Sequence, residues 1–250
     1  MGKKIAIYGA GTIGACQATL TSGNGYSTIV IGHSEEGLSR CRNTMLQNWN
    51  DLIAQKLATA ANRRAAMDLV TITNDVSALR DCEIVFEAVS EDVNIKQRVY
   101  SIITEVCGRD IIVASTTSSI DAAILAEKIE NPARFLIAHP FQPVHMLPLV
   151  EVVRHTETSE ETLHQVCTLL KDLNRQVVML NRSVPGFLVN RFAQALFRES
   201  IYLIEQGITT AADIDRAIKY AVGMRYASIG LLEYYDAVGF ELERAIALNV

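Results

Sequence analysis

Short apolar runs alternate with stretches of helical period along most of the chain. Residues 4–8 are apolar, 12–21 carry helical spacing, and 28–31 form a second, β-branched run. A longer helical stretch follows over 36–57, with Leu38, Met45, Trp49, Leu52 and Ile53 at spacings of three, four and seven. Strand-length runs recur at 69–73, 83–87, 111–114 and 135–138, with helical stretches at 94–106 and 121–129 between them. Strands alternating with helices predict a parallel sheet covered on both faces, and right-handed crossovers make it doubly wound.

The pattern then changes. Residues 149–153 and 176–180 read as strands flanking a helix over 160–173. Ser183-Val184-Pro185-Gly186 is the clearest break. Beyond it only helical spacing remains, at 187–206 and 211–221, the latter opened by Thr210 with Asp213 reaching back to the cap. The expected organisation is an α/β domain over residues 1–184 and a smaller all-α domain over 185–250.

Composition narrows the classes. With 49% hydrophobic and 20% charged residues, the chain is an ordinary globular one. The net charge of −5, with no basic run longer than Asn62-Arg63-Arg64, argues against a nucleic-acid partner. Five scattered cysteines without a C-x-x-C pair resemble neither a disulfide framework nor a zinc site. No signal peptide and no membrane-length apolar run is read, so the expectation is a cytoplasmic protein without membrane or metal.

Gly9-Ala10-Gly11-Thr12-Ile13-Gly14 is G-x-G-x-x-G between a predicted strand and a predicted helix, the context of a Rossmann dinucleotide site. Gly9 makes the turn, Gly11 admits the pyrophosphate, and Gly14 lets helix and strand approach; N–H groups at the helix start hold the phosphates. A glycine-rich turn without ligand is the alternative. The second predicted strand ends in Ile31-Gly32-His33-Ser34, with Gly32 where NAD sites carry an acid. That opens two cofactor readings. In the first, the bound form is NADP, with His33, Ser34 and Arg40 at the 2′-phosphate. In the second it is NAD, with Glu35, Glu36 or no side chain at the ribose.

One His ends a strand, and one Glu lies twelve residues on inside an apolar strand: His139 and Glu151. A buried Glu needs a partner, and an imidazole oriented by a carboxylate is a general base suited to carbinol oxidation. His145, His155 and His164 have no partner at such spacing and read as surface or satisfied residues.

The chain resembles the 3-hydroxyacyl-CoA dehydrogenase family. The resemblance is carried by the glycine motif, Phe86-Glu87-Ala88-Val89-Ser90-Glu91, Ser115-Thr116-Thr117-Ser118-Ser119, His139 with Glu151, and Pro185-Gly186-Phe187-Leu188-Val189-Asn190-Arg191. It implies a Rossmann-type domain followed by a helical, dimerising one. It also implies NAD, His139 as base or acid with Glu151 as its partner, and Ser118 and Asn190 as hydrogen-bonding groups to substrate oxygen and His139. Glu91 and Lys96 match positions on the nicotinamide ribose side. Taken singly, Ser118 reads as a turn residue, Asn190 as a capping residue and Lys96 as a solvated charge.

His139-Pro140-Phe141-Gln142-Pro143 departs from the His-Phe-Phe-Asn-Pro form of the CoA-ester enzymes. It is closer to the branch containing L-gulonate 3-dehydrogenase (lambda-crystallin) and carnitine dehydrogenase, as is the tail Gly223-Met224-Arg225-Tyr226. Arg225 could hold the carboxylate of a free 3-hydroxy acid; the alternative is an interdomain ion pair with a Glu such as Glu233. Lys56, Arg63 and Arg64 are available to CoA, but residues 35–68 hold five Lys/Arg against four Asp/Glu and form no basic patch. The expected partner is therefore a small hydroxy acid or an acyl-CoA, with a homodimer through the helical domain. Two other functions stay open: a catalytically silent crystallin-like or sensory protein, and a 6-phosphogluconate-type β-hydroxyacid dehydrogenase. The segment 185–250 is short for the family's helical domain, and the chain stops inside a predicted helix, as a trimmed form or a longer natural protein would.

Overall fold

The computed structural model describes residues 4–248. The chain forms two compact units, 1–188 and 189–250. The first is built on one eight-stranded sheet. Its strands are β1 (Lys4–Tyr8), β2 (Ser27–Ile31), β3 (Val70–Thr73), β4 (Ile84–Glu87), β5 (Ile112–Ser115), β6 (Phe135–Pro140), β7 (Leu149–Arg154) and β8 (Gln176–Leu180). Their order is β3-β2-β1-β4-β5-β6-β7-β8, so the sheet reverses direction of winding between β1 and β4. In doubly wound sheets that crevice, at the carboxyl ends of the strands, is where ligands bind.

Pairing is parallel except between β6 and β7. The short connection after Pro140 cannot carry a parallel crossover, which needs a dozen residues or more, so β7 returns antiparallel.

Helices α1 (Thr12–Gly23), α2 (Glu35–Ala54), α3 (Ala60–Asp68), α4 (Val93–Cys107), α5 (Ala122–Ala126) and α6 (Glu160–Asp172) complete this unit. Alternation along the strands divides the core between the two faces. Ile5, Ile7 and Phe86 pack with Ala15, Met45 and Val166 of α1, α2 and α6. Ala6, Val85 and Val113 pack with Val99, Ile103 and Leu125 of α4 and α5. Each large side chain so buried contributes roughly 1.5–3 kcal/mol. Sequence spacing places α2 a turn too far at its C-terminal end and makes α5 longer than its five residues. It does not show α3, which opens on a Thr59–Asn62 capping box and buries only Ala66.

The second unit contains α7 (Val189–Glu205), α8 (Ala211–Ala217), a π-helical stretch (Ile218–Val222), α9 (Gly223–Tyr226), α10 (Leu231–Val238) and α11 (Phe240–Ala247). Thr210 caps α8 as the sequence predicts, accepting from the Asp213 N–H at 3.2 Å while its hydroxyl donates to the Asp213 carboxylate at 2.7 Å. No helix among the described residues is long and apolar enough to cross a membrane.

Candidate active site

Tyr8 is followed by Gly9, whose φ of +130° belongs to the region that side chains rarely adopt. A Cβ there would lie 2.3 Å from the Ala88 carbonyl oxygen, and one on Gly14 would lie 1.8 Å from the Gly9 oxygen. The turn is therefore closed to larger residues at both positions. Gly11 is different, because a Cβ there meets nothing within 4 Å. Gly11 caps α1 without a side-chain hydrogen bond, whereas side chains of Ser34, Thr59, Asp92 and Ser159 cap α2, α3, α4 and α6. The start of α1 thus faces open space with its backbone donors bare of side-chain caps, the arrangement that receives a pyrophosphate.

A groove of about 720 Å³ runs from this turn between α2 and α4, lined among others by Gly9, Gly11, Thr12, His33, Arg40 and Val89. Its position at the sheet's reversal and its glycine floor fit a dinucleotide. Ile13 instead packs on Cys16, Leu20 and Val144, and Gly14 is buried under the turn.

At the end of β2, a Cβ on Gly32 would meet Leu38 Cδ2 at 2.5 Å and the Ala10 Cβ at 2.8 Å. Close packing accounts for this glycine without reference to a phosphate. Ser34 Oγ accepts from the Gly37 N–H, and Arg40 is paired with Glu36, so two of the three groups read for a 2′-phosphate are already engaged.

Lys96 is not a solvated charge. It is 1% exposed and donates to Glu87 Oε1 at 2.8 Å, with Glu91 Oε2 at 3.2 Å. Glu91 in turn receives the Thr117 hydroxyl, the Ser118 N–H at 3.1 Å and the Ser119 hydroxyl at 3.1 Å. Burial works to raise the Glu91 pKa, but these hydrogen bonds and the Lys96 charge outweigh it and hold the carboxyl below its usual value. So Glu91, Lys96 and the Ser118 turn form one connected group.

Antiparallel register sets His139 of β6 directly against Glu151 of β7. His139 Nδ1 lies 2.9 Å from Glu151 Oε2. Glu151 is fully buried, and its Oε1 accepts from the Leu188 N–H at 3.0 Å. The rings of Phe141 and Phe187 lie 4.6 and 5.6 Å from the imidazole. Phe187 holds a left-handed φ of 45° just before that N–H, so the Pro185-Gly186 break is also the turn that delivers Leu188 to Glu151. Leu188, Phe141 and Phe187 are contacts that sequence reading did not assign; the Pro-Gly signal was visible, but its target was not.

Asn190 is the second residue of α7, in the other unit. Arg225 lies in α9 with its guanidinium 4.3 Å from the centre of the Tyr234 ring. The alternative partner Glu233 is engaged elsewhere, accepting from the Gly230 N–H at 2.8 Å.

A dinucleotide groove at the winding reversal and a buried imidazole–carboxylate pair on the same carboxyl edge define a nicotinamide-dependent oxidoreductase. The family model for the 3-hydroxyacyl-CoA dehydrogenase NAD binding domain matches residues 4–183, and the model for that family's C-terminal domain matches 186–249. The chain belongs to the 3-hydroxyacyl-CoA dehydrogenase family, and its cofactor is NAD. It is 31% identical to an L-carnitine dehydrogenase of Bacillus cereus over 91% of this chain and 69% of that one. A crystal structure of 5-formyl-3-hydroxy-2-methylpyridine 4-carboxylic acid 5-dehydrogenase, described as an NAD+-dependent dismutase, is similar with a TM-score of 0.89, 29% identity, and coverage of 99% of this chain and 79% of that one. A (S)-3-hydroxybutyryl-CoA dehydrogenase from Ralstonia eutropha is similar with a TM-score of 0.83 and 28% identity, over 89% and 78% of the two chains.

Proposed function

We propose that the chain oxidises the C3 hydroxyl of a 3-hydroxy acid or its CoA thioester with NAD, or reduces the corresponding 3-keto compound with NADH. One observation carries the reading: the buried His139–Glu151 pair at the carboxyl edge of an NAD-binding sheet. The bound nicotinamide supplies the hydride acceptor. His139 takes the hydroxyl proton on Nε2 as the C3 hydride leaves, and returns it in the reverse direction. Glu151 accepts the Nδ1–H, which leaves the electron pair on Nε2, and its charge steadies the imidazolium once formed. Leu188 fixes the other carboxylate oxygen so that Glu151 stays aimed at the ring.

The remaining roles follow the family resemblance. Gly11 and Thr12 open α1 to the pyrophosphate, Gly9, Ile13 and Gly14 shape the turn that carries them, and Gly32, His33 and Ser34 border the adenosine end. Glu91 and Lys96 meet the nicotinamide ribose. Ser118 and Asn190 bond the substrate oxygen, and Arg225 holds the carboxylate of a free acid. The helical unit pairs two copies of the chain, a reading supported by its exposed Phe192, Leu196, Phe197 and Tyr202. Five free thiols suit the reducing cytoplasm.

A panel of short 3-hydroxy acids and 3-hydroxyacyl-CoA esters, each with NAD and NADP, tests the reading. Turnover of at least one C3 alcohol with NAD is expected. Binding of NADH without turnover of any member would favour the silent, structural alternative.

A further inference from the structure

Glu87 carries no role in the proposed chemistry, yet each of its carboxylate oxygens accepts two hydrogen bonds. It ends β4, beside the winding reversal, and is fully buried. Its Oε1 receives Lys96 Nζ and the Val89 N–H, both at 2.8 Å. Its Oε2 receives the Tyr100 hydroxyl at 2.8 Å and the Ser115 hydroxyl at 2.7 Å. Burial first, and the neighbouring Glu87 charge second, push the Tyr100 pKa far up, so this phenol remains a donor.

Three of the four donors on this carboxylate belong to parts that shape the site, and the fourth, Tyr100, is anchored in the core against Phe135. Val89 lines the groove with Ala88 and Ser90. Ser115 ends β5, where the Thr116–Ser119 turn begins, and the Thr117 N–H donates back to Ser115 Oγ at 3.3 Å. Lys96 bridges to Glu91, whose oxygen grips that same turn. A fully buried carboxylate is costly to keep, and an apolar pair of similar volume would serve stability as well or better. What an apolar pair cannot do is hold three separate backbone segments to one point.

We propose that Glu87 is a positioning residue for NAD binding: it fixes the groove wall at Val89 directly, and fixes Glu91 and the Ser118 turn through the Lys96 ammonium. The inference rests on the dehydrogenase reading only for its consequence in turnover; its effect on cofactor binding stands apart.

The test is a double-mutant cycle on the NADH dissociation constant, read by fluorescence titration, with Glu87→Gln, Glu91→Gln and the double variant. Glutamine keeps the shape of Glu87 and removes the charge that holds Lys96. Glu87→Gln is expected to weaken NADH binding by about tenfold, the worth of one charge-assisted hydrogen bond. Because part of each effect passes through the shared Lys96 ammonium, the double variant should be weaker than either single one but by less than the product of the two effects. Should Glu87→Gln fail to fold, Ser115→Ala takes its place in the cycle, removing one donor from the same carboxylate. NADH affinity within twofold of the unmodified protein in a folded Glu87→Gln, or effects that multiply in the double variant, would overturn the proposal. If the cycle behaves as expected while the unmodified protein oxidises no C3 alcohol, the dehydrogenase reading fails and the positioning role survives.

Discussion

The two units solve the problem of burying apolar surface in opposite ways. The first carries a sealed core on both faces of its sheet, dense enough to bury Glu87, Lys96 and Glu151 along with it. In the second, none of the helices has a buried residue, and Leu232, Phe240 and Met224 are 77%, 66% and 64% exposed in the single chain. A unit with its own core can hold charges at fixed distances, and the described chemistry sits there. Amphipathic helices without a core need a covering surface, and a second copy of the chain is the one proposed.

A large effect in the sealed unit probes this contrast first. Glu151→Gln should lower kcat by at least about 100-fold, within the range of general acid–base effects, while NADH affinity stays within a few-fold. Steady-state kinetics beside a binding titration separates the two. Gly9→Ala comes next: with the Ala88 oxygen 2.3 Å from the new Cβ and a φ of +130°, it should destabilise the first unit by roughly 1–3 kcal/mol and weaken NADH binding. Thermal melting and titration check both consequences, and a variant that melts and binds like the unmodified protein would contradict the geometry.

In the second unit, Phe197→Asp should shift the chain to monomer in light scattering, since Phe197 is 59% exposed on α7. The same change at Leu57, 65% exposed in the first unit, should leave the assembly state alone. Equal behaviour of the two variants would dissolve the distinction. Arg225→Ala should raise KM for free 3-hydroxy acids by about tenfold and leave that for CoA esters unchanged. An equal change for both classes would remove Arg225 from substrate recognition.

The smallest effect is a pH dependence. Burial pushes the Cys41 and Cys82 thiols up to about 11 from an ordinary 9.0. Folded-state values above the unfolded ones mean that this stability is complete below pH 9 and is lost as pH rises toward 11. The loss should fall on the first unit, which holds all five cysteines, and Cys41→Ala should flatten it in a melting series.

The sheet was legible because its strands are short β-branched runs bounded by turn residues, and each of the eight has its counterpart in the apolar pattern. Helix α3 was not, because it is polar and charged with a single buried alanine, so no apolar stripe announces it. The His139–Glu151 pair could be read because a hairpin sets its members against each other, and a carboxylate inside an apolar strand demands an explanation. Glu87 offered the same signal at the end of Ile84–Glu87 and went unread. Its partners come from α4 and β5, and linear spacing does not relate them to it. Lys96 was visible only through the family resemblance, since a lysine on a helix looks solvated until its burial is known.

His139 as the group that moves the proton at the NAD site is probed by His139→Gln, with turnover and NADH binding measured on one preparation. Turnover of the best C3 alcohol should fall by about 1000-fold or more, with NADH affinity within a few-fold of the unmodified protein. Turnover retained at the unmodified rate would contradict that role for His139.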